Sequence, residues 1–207
     1  KAMEELHTLP QIVSGRTESM GKYKEVVYDL YRNGWSVYIH DHRGQGLSDR
    51  ESAVRDQPQK GHVERFDDFV ADLDTVLTTQ VLPAGHARRV LWAHSMGGAI
   101  TARWLQSGRP SVAQVQAAVP FYGGGIHNML DIASEITCPV QLHYAENDGN
   151  IPLEAVERVR AAVPHAEVHV YPGSTHGFSC WARASYHAPS AALSHGRALQ
   201  FLANALF

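Results

Sequence analysis

Ser95 sits in Ala-His-Ser-Met-Gly-Gly (93–98), directly after the apolar run Val90–Ala93. Small residues two positions to either side allow a strand and a helix to approach closely around a serine in a strained turn. The N-terminus of the following helix then lies beneath the hydroxyl, where its dipole favours negative charge. A serine hydroxyl is a poor nucleophile near neutral pH and needs a base. His176, in Gly-Ser-Thr-His-Gly-Phe (173–178), follows the last strand-like run and is the candidate base. An acid must hold the imidazole in one tautomer and stabilise its protonated form. Asp148, in Glu-Asn-Asp-Gly (146–149), is the candidate, with Glu146 its nearest rival. Serine, then acid, then histidine, each after a strand, is a chain order that serves acyl transfer. Plainer readings exist for each. The serine could be idle in a small-residue turn, the aspartate could belong to a turn before glycine, and thirteen histidines leave many for ordinary surface or core places.

Acyl transfer also needs two backbone N–H donors aimed at the developing oxyanion. Met96 follows the serine directly. Arg16 follows Ser14-Gly15 at the end of the run Gln11–Val13. The Arg16 side chain fits two readings equally, a contact with an anionic substrate or a place in water. The segment 41–48, Asp-His-Arg-Gly-Gln-Gly-Leu-Ser, is polar and glycine-rich but lacks the spacing of a phosphate-binding loop. It reads as a structural turn past the rim of the site. His40-Asp41-His42 comes nearest to a metal-ligand spacing, yet a strand end followed by a turn explains it equally well. No metal and no organic cofactor is expected.

The elements that must carry these residues alternate along the chain. Strands are expected at Gln11–Val13, Trp35–Ile39, Val90–Ala93, Val115–Phe121, Val140–Tyr144 and Glu167–Tyr171. Tyr23, Val26, Val27, Leu30 and Tyr31 repeat at helical spacing, with Asn33-Gly34 as a C-cap. Phe66, Phe69, Val70, Leu73, Val76 and Leu77 form the cleanest amphipathic stripe, and it predicts a helix that stops before Pro83. Further helices are expected over Gly97–Gln106, around Leu153–Val163 and through Leu199–Leu206. Alternating strand and helix with short connections predicts an α/β fold: about six mostly parallel strands, helices on both faces. With strand order 2-1-3-4-5-6, the ligand crevice opens between strands one and three, and the turns at 14–16 and 95 become neighbours. The 42–62 connection is too long for a simple turn and is expected to line a site or carry a short helix.

At 207 residues the chain is expected to form one domain, 1–207. A formal net charge of −3 without a basic run argues against nucleic acid as a partner. No apolar stretch reaches the ~18 residues of a membrane span, and none of signal-peptide type opens the sequence. The expectation is therefore a cytoplasmic protein without stable membrane insertion. Cys138 and Cys180 make no disulfide framework, and Cys138 reads as a core thiol.

These motifs resemble the α/β-hydrolase superfamily over nearly the whole chain. Residues 8–108 are similar to bacterial lysophospholipases of the monoglyceride-lipase type, through SGRTES (14–19), DHRGQGLS (41–48), GHVERFDDFVADL (61–73) and AHSMGGAI (93–100). Residues 113–207 resemble dienelactone hydrolases, through AAVPFYGGGI (117–126), CPVQLHYAENDGNIP (138–152), YPGSTHGF (171–178) and SYHAPSAAL (185–193). The pairing implies a family seam near 107–114. Both resemblances imply a three-layer sandwich and a triad of Ser95, Asp148 and His176, and the family spacing favours Asp148 over Glu146. Dienelactone hydrolases use a cysteine nucleophile, which Ser95 is not. The lysophospholipases carry a cap between the fourth and fifth strands, whereas here only 122–139 lies between them, so no large cap domain is expected. The implied activity is that of a serine carboxyl-ester hydrolase on small or short-chain esters. The alternatives are a lactonase of the dienelactone-hydrolase type and a catalytically weak scaffold on the same fold.

Overall fold

The computed structural model describes residues 8–57, 59–131 and 133–207. Its elements run β1 (Thr8–Val13), α1 (Lys24–Arg32), β2 (Tyr38–His40), α2 (Phe66–Val76), β3 (Arg88–His94), α3 (Met96–Leu105), β4 (Ala117–Phe121), β5 (Gln141–Ala145), α4 (Leu153–Ala162), β6 (Glu167–Tyr171) and α5 (Ala188–Leu206). The strands form one six-stranded sheet in the order β2-β1-β3-β4-β5-β6, with every described pairing parallel. Parallel strands covered on both faces are apolar almost throughout, and all five residues of β4 are buried. The expected fold and strand order are present.

Several boundaries differ from the sequence expectation. β2 begins at Tyr38, not Trp35, because this edge strand pairs only with β1, over Gln11–Val13 against Tyr38–His40. The helix stripe of α2 does not stop before Pro83. A wider turn over Leu77–Val81 and a 3-10 turn over Leu82–Ala84 continue it. Pro83 lies at the start of that last turn, where its missing N–H costs nothing, and Gly85 ends it at φ 77°. The 42–62 connection carries one short 3-10 turn, Ser52–Val54, among its described residues.

The main core lies around β3, β4 and β5, where Leu73, Leu77, Ile100 and Trp104 close down on the sheet. A smaller cluster of Ile12, Tyr23 and Leu30 seats α1. One face of the sheet carries a row of rings at its centre. Phe121 stacks on Trp92 at 5.3 Å, on His94 at 4.9 Å and on His143 at 4.4 Å, and His143 continues to Tyr171 at 5.7 Å. His195 of α5 covers Trp92 and Phe121. Burial holds His94 at a pKa of about 3 and pushes His143 well below the ordinary histidine value. Both are therefore neutral rings with assigned partners. His143 donates from Nε2 to Gln141 Oε1 at 2.9 Å and accepts from the Tyr171 hydroxyl at 2.7 Å. Cys138 is buried, as the sequence suggests. No helix among the described residues is long and apolar enough to cross a membrane.

Candidate active site

The site forms where the sheet changes direction of growth, at the C-terminal ends of β1 and β3. Ser95 links β3 to α3 with φ 52° and ψ −119°, a conformation that costs a non-glycine residue about 1–3 kcal/mol. Its surroundings hold it there. Its N–H donates to the Phe121 carbonyl at 2.9 Å. A Cβ on Gly97 would stand 2.2 Å from the Val13 carbonyl oxygen, and one on Gly98 would stand 2.9 Å from Gly123 Cα. Only glycine lets the first turn of α3 come this close to β1 and to the end of β4.

Three side chains from separate strand ends meet in one hydrogen-bonded run. Ser95 Oγ lies 3.1 Å from His176 Nε2, and His176 Nδ1 lies 2.8 Å from Asp148 Oδ2. The Asp148 side chain is fully buried and that of His176 is 19% exposed. A carboxylate only accepts, so Nδ1–H donates to Asp148 and Nε2 faces the serine hydroxyl as an acceptor. The second carboxylate oxygen of Asp148 accepts the Asn150 N–H at 2.9 Å. Glu146, the rival acid, is exposed and accepts the Gly173 N–H at 2.8 Å instead. Together with Asn147 N–H to the Ser174 carbonyl at 2.9 Å, it zips the acid loop to the histidine loop.

The two amides expected to face an oxyanion lie in adjoining turns. Met96 is the first residue of α3, so its N–H has no partner within the helix. Among the described residues no hydrogen bond takes up the Arg16 N–H, and the Arg16 side chain is exposed. A Cβ on Gly15 would stand 3.2 Å from Ser95 Cβ, so turns about eighty positions apart do become neighbours. His42 supports this corner by donating from Nε2 to the Ser14 carbonyl at 3.1 Å. Burial, with His40 beside it, lowers its pKa to about 4. That contact gives His42 a structural place, His40 packs its ring against it at 4.9 Å, and among the described residues no group of three or more His, Cys, Asp or Glu could hold a metal ion. Asp41 accepts the N–H groups of Met20 and Leu47, so segment 41–48 is the structural turn expected.

Three residues around the site were not legible in the sequence. Tyr122 has φ 38° and packs its ring edge against His176, at 5.1 Å between centroids. Trp92 donates to His94 Nε2 at 2.9 Å, so His94 donates from Nδ1 to the Tyr122 oxygen, and that hydroxyl donates on to Ser179. Glu18, at 7% exposure, and Arg183 meet beside the 14–17 turn. A bulky residue before Gly123-Gly124 is the only hint of Tyr122, and no local pattern signals the Glu18–Arg183 contact.

Residues 7–125, more than half the chain, match the family model Hydrolase_4, serine aminopeptidase S33. The chain belongs to that family. Its resemblance to lysophospholipases is matched by lysophospholipase L2 of Escherichia coli (strain K12), 41% identical over 139 residues, which is 67% of this chain and 40% of that protein. A putative carboxymethylenebutenolidase of Azospirillum brasilense, a dienelactone-hydrolase homologue, is 36% identical over 135 residues, 63% of this chain and 58% of that protein. This Hydrolase_4 chain thus spans less than two thirds of either relative. In structure it is similar to a putative dienelactone hydrolase from Klebsiella pneumoniae (TM-score 0.76, 24% identity, 98% of this chain and 89% of that one). It is also similar to a monoacylglycerol lipase from Paleococcus ferrophilus (TM-score 0.72, 14% identity, 95% and 94%). At these identities the structural likeness establishes the fold, that of the α/β-hydrolases.

Proposed function

We propose that this chain hydrolyses carboxylic esters through a serine acyl-enzyme. The observation that carries the reading is the run Ser95–His176–Asp148, with hydrogen bonds of 3.1 and 2.8 Å joining residues 81 and 28 positions apart. Ser95 Oγ attacks the ester carbonyl while His176 Nε2 takes its proton, and the imidazolium passes that proton to the departing alcohol. Asp148 holds the tautomer and stabilises the imidazolium. The Met96 and Arg16 amides bind the tetrahedral oxyanion. Water then attacks the acyl-serine with His176 again as base, releasing the acid and restoring the hydroxyl.

The substrate is a small, short-chain ester. Only residues 122–140 join β4 to β5, and the described residues among them carry two short 3-10 turns, Ile126–Asn128 and Ala133–Glu135. That segment is too short to fold over a long acyl chain. A second reading, lactone opening, is favoured by the similarity to the putative carboxymethylenebutenolidase, and uses the same groups with a tethered leaving alcohol.

The test is hydrolysis of p-nitrophenyl acetate and butyrate beside the laurate and palmitate, with fluorophosphonate labelling. Wild type is expected to turn over the short esters faster and to label, and Ser95→Ala to lose turnover by about 10³-fold or more and not label. Faster turnover of the long chains refutes the substrate class. A well-folded wild type that neither labels nor hydrolyses refutes the enzyme and supports a scaffold.

A further inference from the structure

Glu18 is a buried carboxylate that the proposed reaction does not use, and it is unusually well supplied with donors. Its Oε2 accepts the Gly15 N–H at 2.8 Å and the Tyr23 hydroxyl. Its Oε1 accepts from Lys22 and, at 3.0 Å, from the Arg183 guanidinium. Its own N–H donates to the Gln45 side chain at 3.3 Å. Burial pushes its pKa up, but the hydrogen bonds from Lys22 and Tyr23, the Lys22 charge and the Gly15 N–H pull it down to about 2, so it is ionised.

The far end of this contact is the histidine loop. Arg183 lies seven residues after His176, in a segment folded into successive tight turns, with Cys180 N–H on the Gly177 carbonyl and Arg183 N–H on the Cys180 carbonyl. Gly177, next to His176, has φ 81°, and a Cβ there would stand 2.9 Å from Arg183 Cδ. The Arg183 stem therefore lies against the residue beside the imidazole, while its guanidinium reaches Glu18. Glu18 in turn holds the amide of Gly15, the residue before Arg16. With the Gly15 N–H on the carboxylate, the next amide, that of Arg16, has no hydrogen-bond acceptor among the described residues. Thr17, at φ 59°, completes a turn that its own sequence does not favour.

We propose that Glu18 and Arg183 form a strut that fixes the oxyanion turn relative to the histidine loop, acting as positioning residues for the reaction at Ser95. This rests on the esterase reading above. The strut joins two loops whose sequence separation is 165 residues. It spans the two halves of the chain that supply, respectively, the serine with its amides and the acid–base pair. A lost or shifted oxyanion donor costs about 10²–10³ in turnover, and loosening one that stays in place costs less.

The experiment uses Arg183→Met, which keeps an unbranched stem on Gly177, with Arg183→Lys, Glu18→Gln and the double variant Glu18→Gln/Arg183→Met. Amide hydrogen exchange by NMR reads the strut without any turnover. The Gly15 amide is expected to exchange about 10-fold faster in Arg183→Met than in wild type. In p-nitrophenyl butyrate hydrolysis, kcat is expected to fall about 10-fold in Arg183→Met and Glu18→Gln with KM moved less than about 2-fold. Arg183→Lys recovers part of the loss, and the double variant is no worse than the poorer single. Unchanged Gly15 exchange and unchanged kcat in Arg183→Met overturn the strut, as do losses that multiply in the double variant. If Glu18→Gln fails to fold, Arg183→Met and Arg183→Lys decide alone. Butyrate hydrolysis that survives Ser95→Ala overturns the esterase reading instead, and leaves the exchange result to judge the strut's mechanics.

Discussion

The two halves of the site are held by different means. Around Ser95 the chief constraint is backbone against backbone, with the Glu18 and His42 side chains holding the adjoining 14–16 turn. α3 touches the carbonyls that end β1, a Cβ on Gly97 would overlap Val13 and Ser14, and Ser95 and Thr17 keep left-handed conformations. Around Asp148 and His176 the constraint is hydrogen bonding. Asp148 binds Asn150 and His176, Glu146 binds Gly173, and Asn147 binds Ser174. Backbone contacts fail abruptly because carbonyls cannot step aside. Hydrogen bonds fail by degrees and carry charge, so the second half is expected to respond to substitution in steps and the first all at once.

Asp148→Asn probes the hydrogen-bonded half most severely. The variant keeps its volume but offers an N–H where Nδ1–H needs an acceptor. The expectation is a fall in kcat of about 10³–10⁴, with the thermal midpoint little changed. A loss confined to stability would place Asp148 among structural residues and erase the contrast. Gly97→Ala probes the rigid half, and Gly149→Ala is its counterpart in the acid loop, where a Cβ meets no atom within 4 Å. Gly97→Ala is expected to cost about 3 kcal/mol or more, or to prevent folding, and Gly149→Ala no more than about 0.5 kcal/mol in denaturant unfolding. Equal costs would show that the two halves are restrained alike.

The smallest effect is set by the ring row beneath both halves. His94 has a folded pKa near 3, below the ~6.5 of an unfolded chain. Between those values the unfolded chain binds the extra proton. The stability contribution is therefore complete above about pH 6.5 and is lost as the pH falls towards 3, by up to about 1.4 kcal/mol per pH unit. His143 is shifted in the same direction and adds to the slope. Urea midpoints at pH 7.5 and 5.5 measure this. A flat profile would mean that the buried rings do not stay neutral.

The fold was legible because its signals are local. Apolar runs of three to five residues shortly before Ser14-Gly15, Ser95 and Asp148 mark parallel strands and the turns at their C-terminal ends, and small residues around Ser95 mark the close approach of α3. The limits of that legibility are also physical. β2 is shorter than its apolar run because an edge strand pairs on one side only. The helical path after α2 runs on through Leu77–Ala84 because Pro83 falls where no hydrogen bond is lost. The choice between Asp148 and Glu146 was not available from local pattern, since both follow β5. It turns on which carboxylate is buried against the imidazole. The Glu18–Arg183 and His94–Tyr122 meetings stayed hidden because those partners lie 165 and 28 positions apart, and nothing in a residue's neighbours along the chain reports such a meeting.

Because α3 backs directly onto the carbonyls of β1, the amides of residues 16 and 96 travel as one rigid piece. A ligand arriving at Ser95 meets a socket already shaped. The chain around residues 173–187 is anchored as firmly in its own way, by the Asn147 N–H on the Ser174 carbonyl and by the Phe178 ring sunk in the core beside β6.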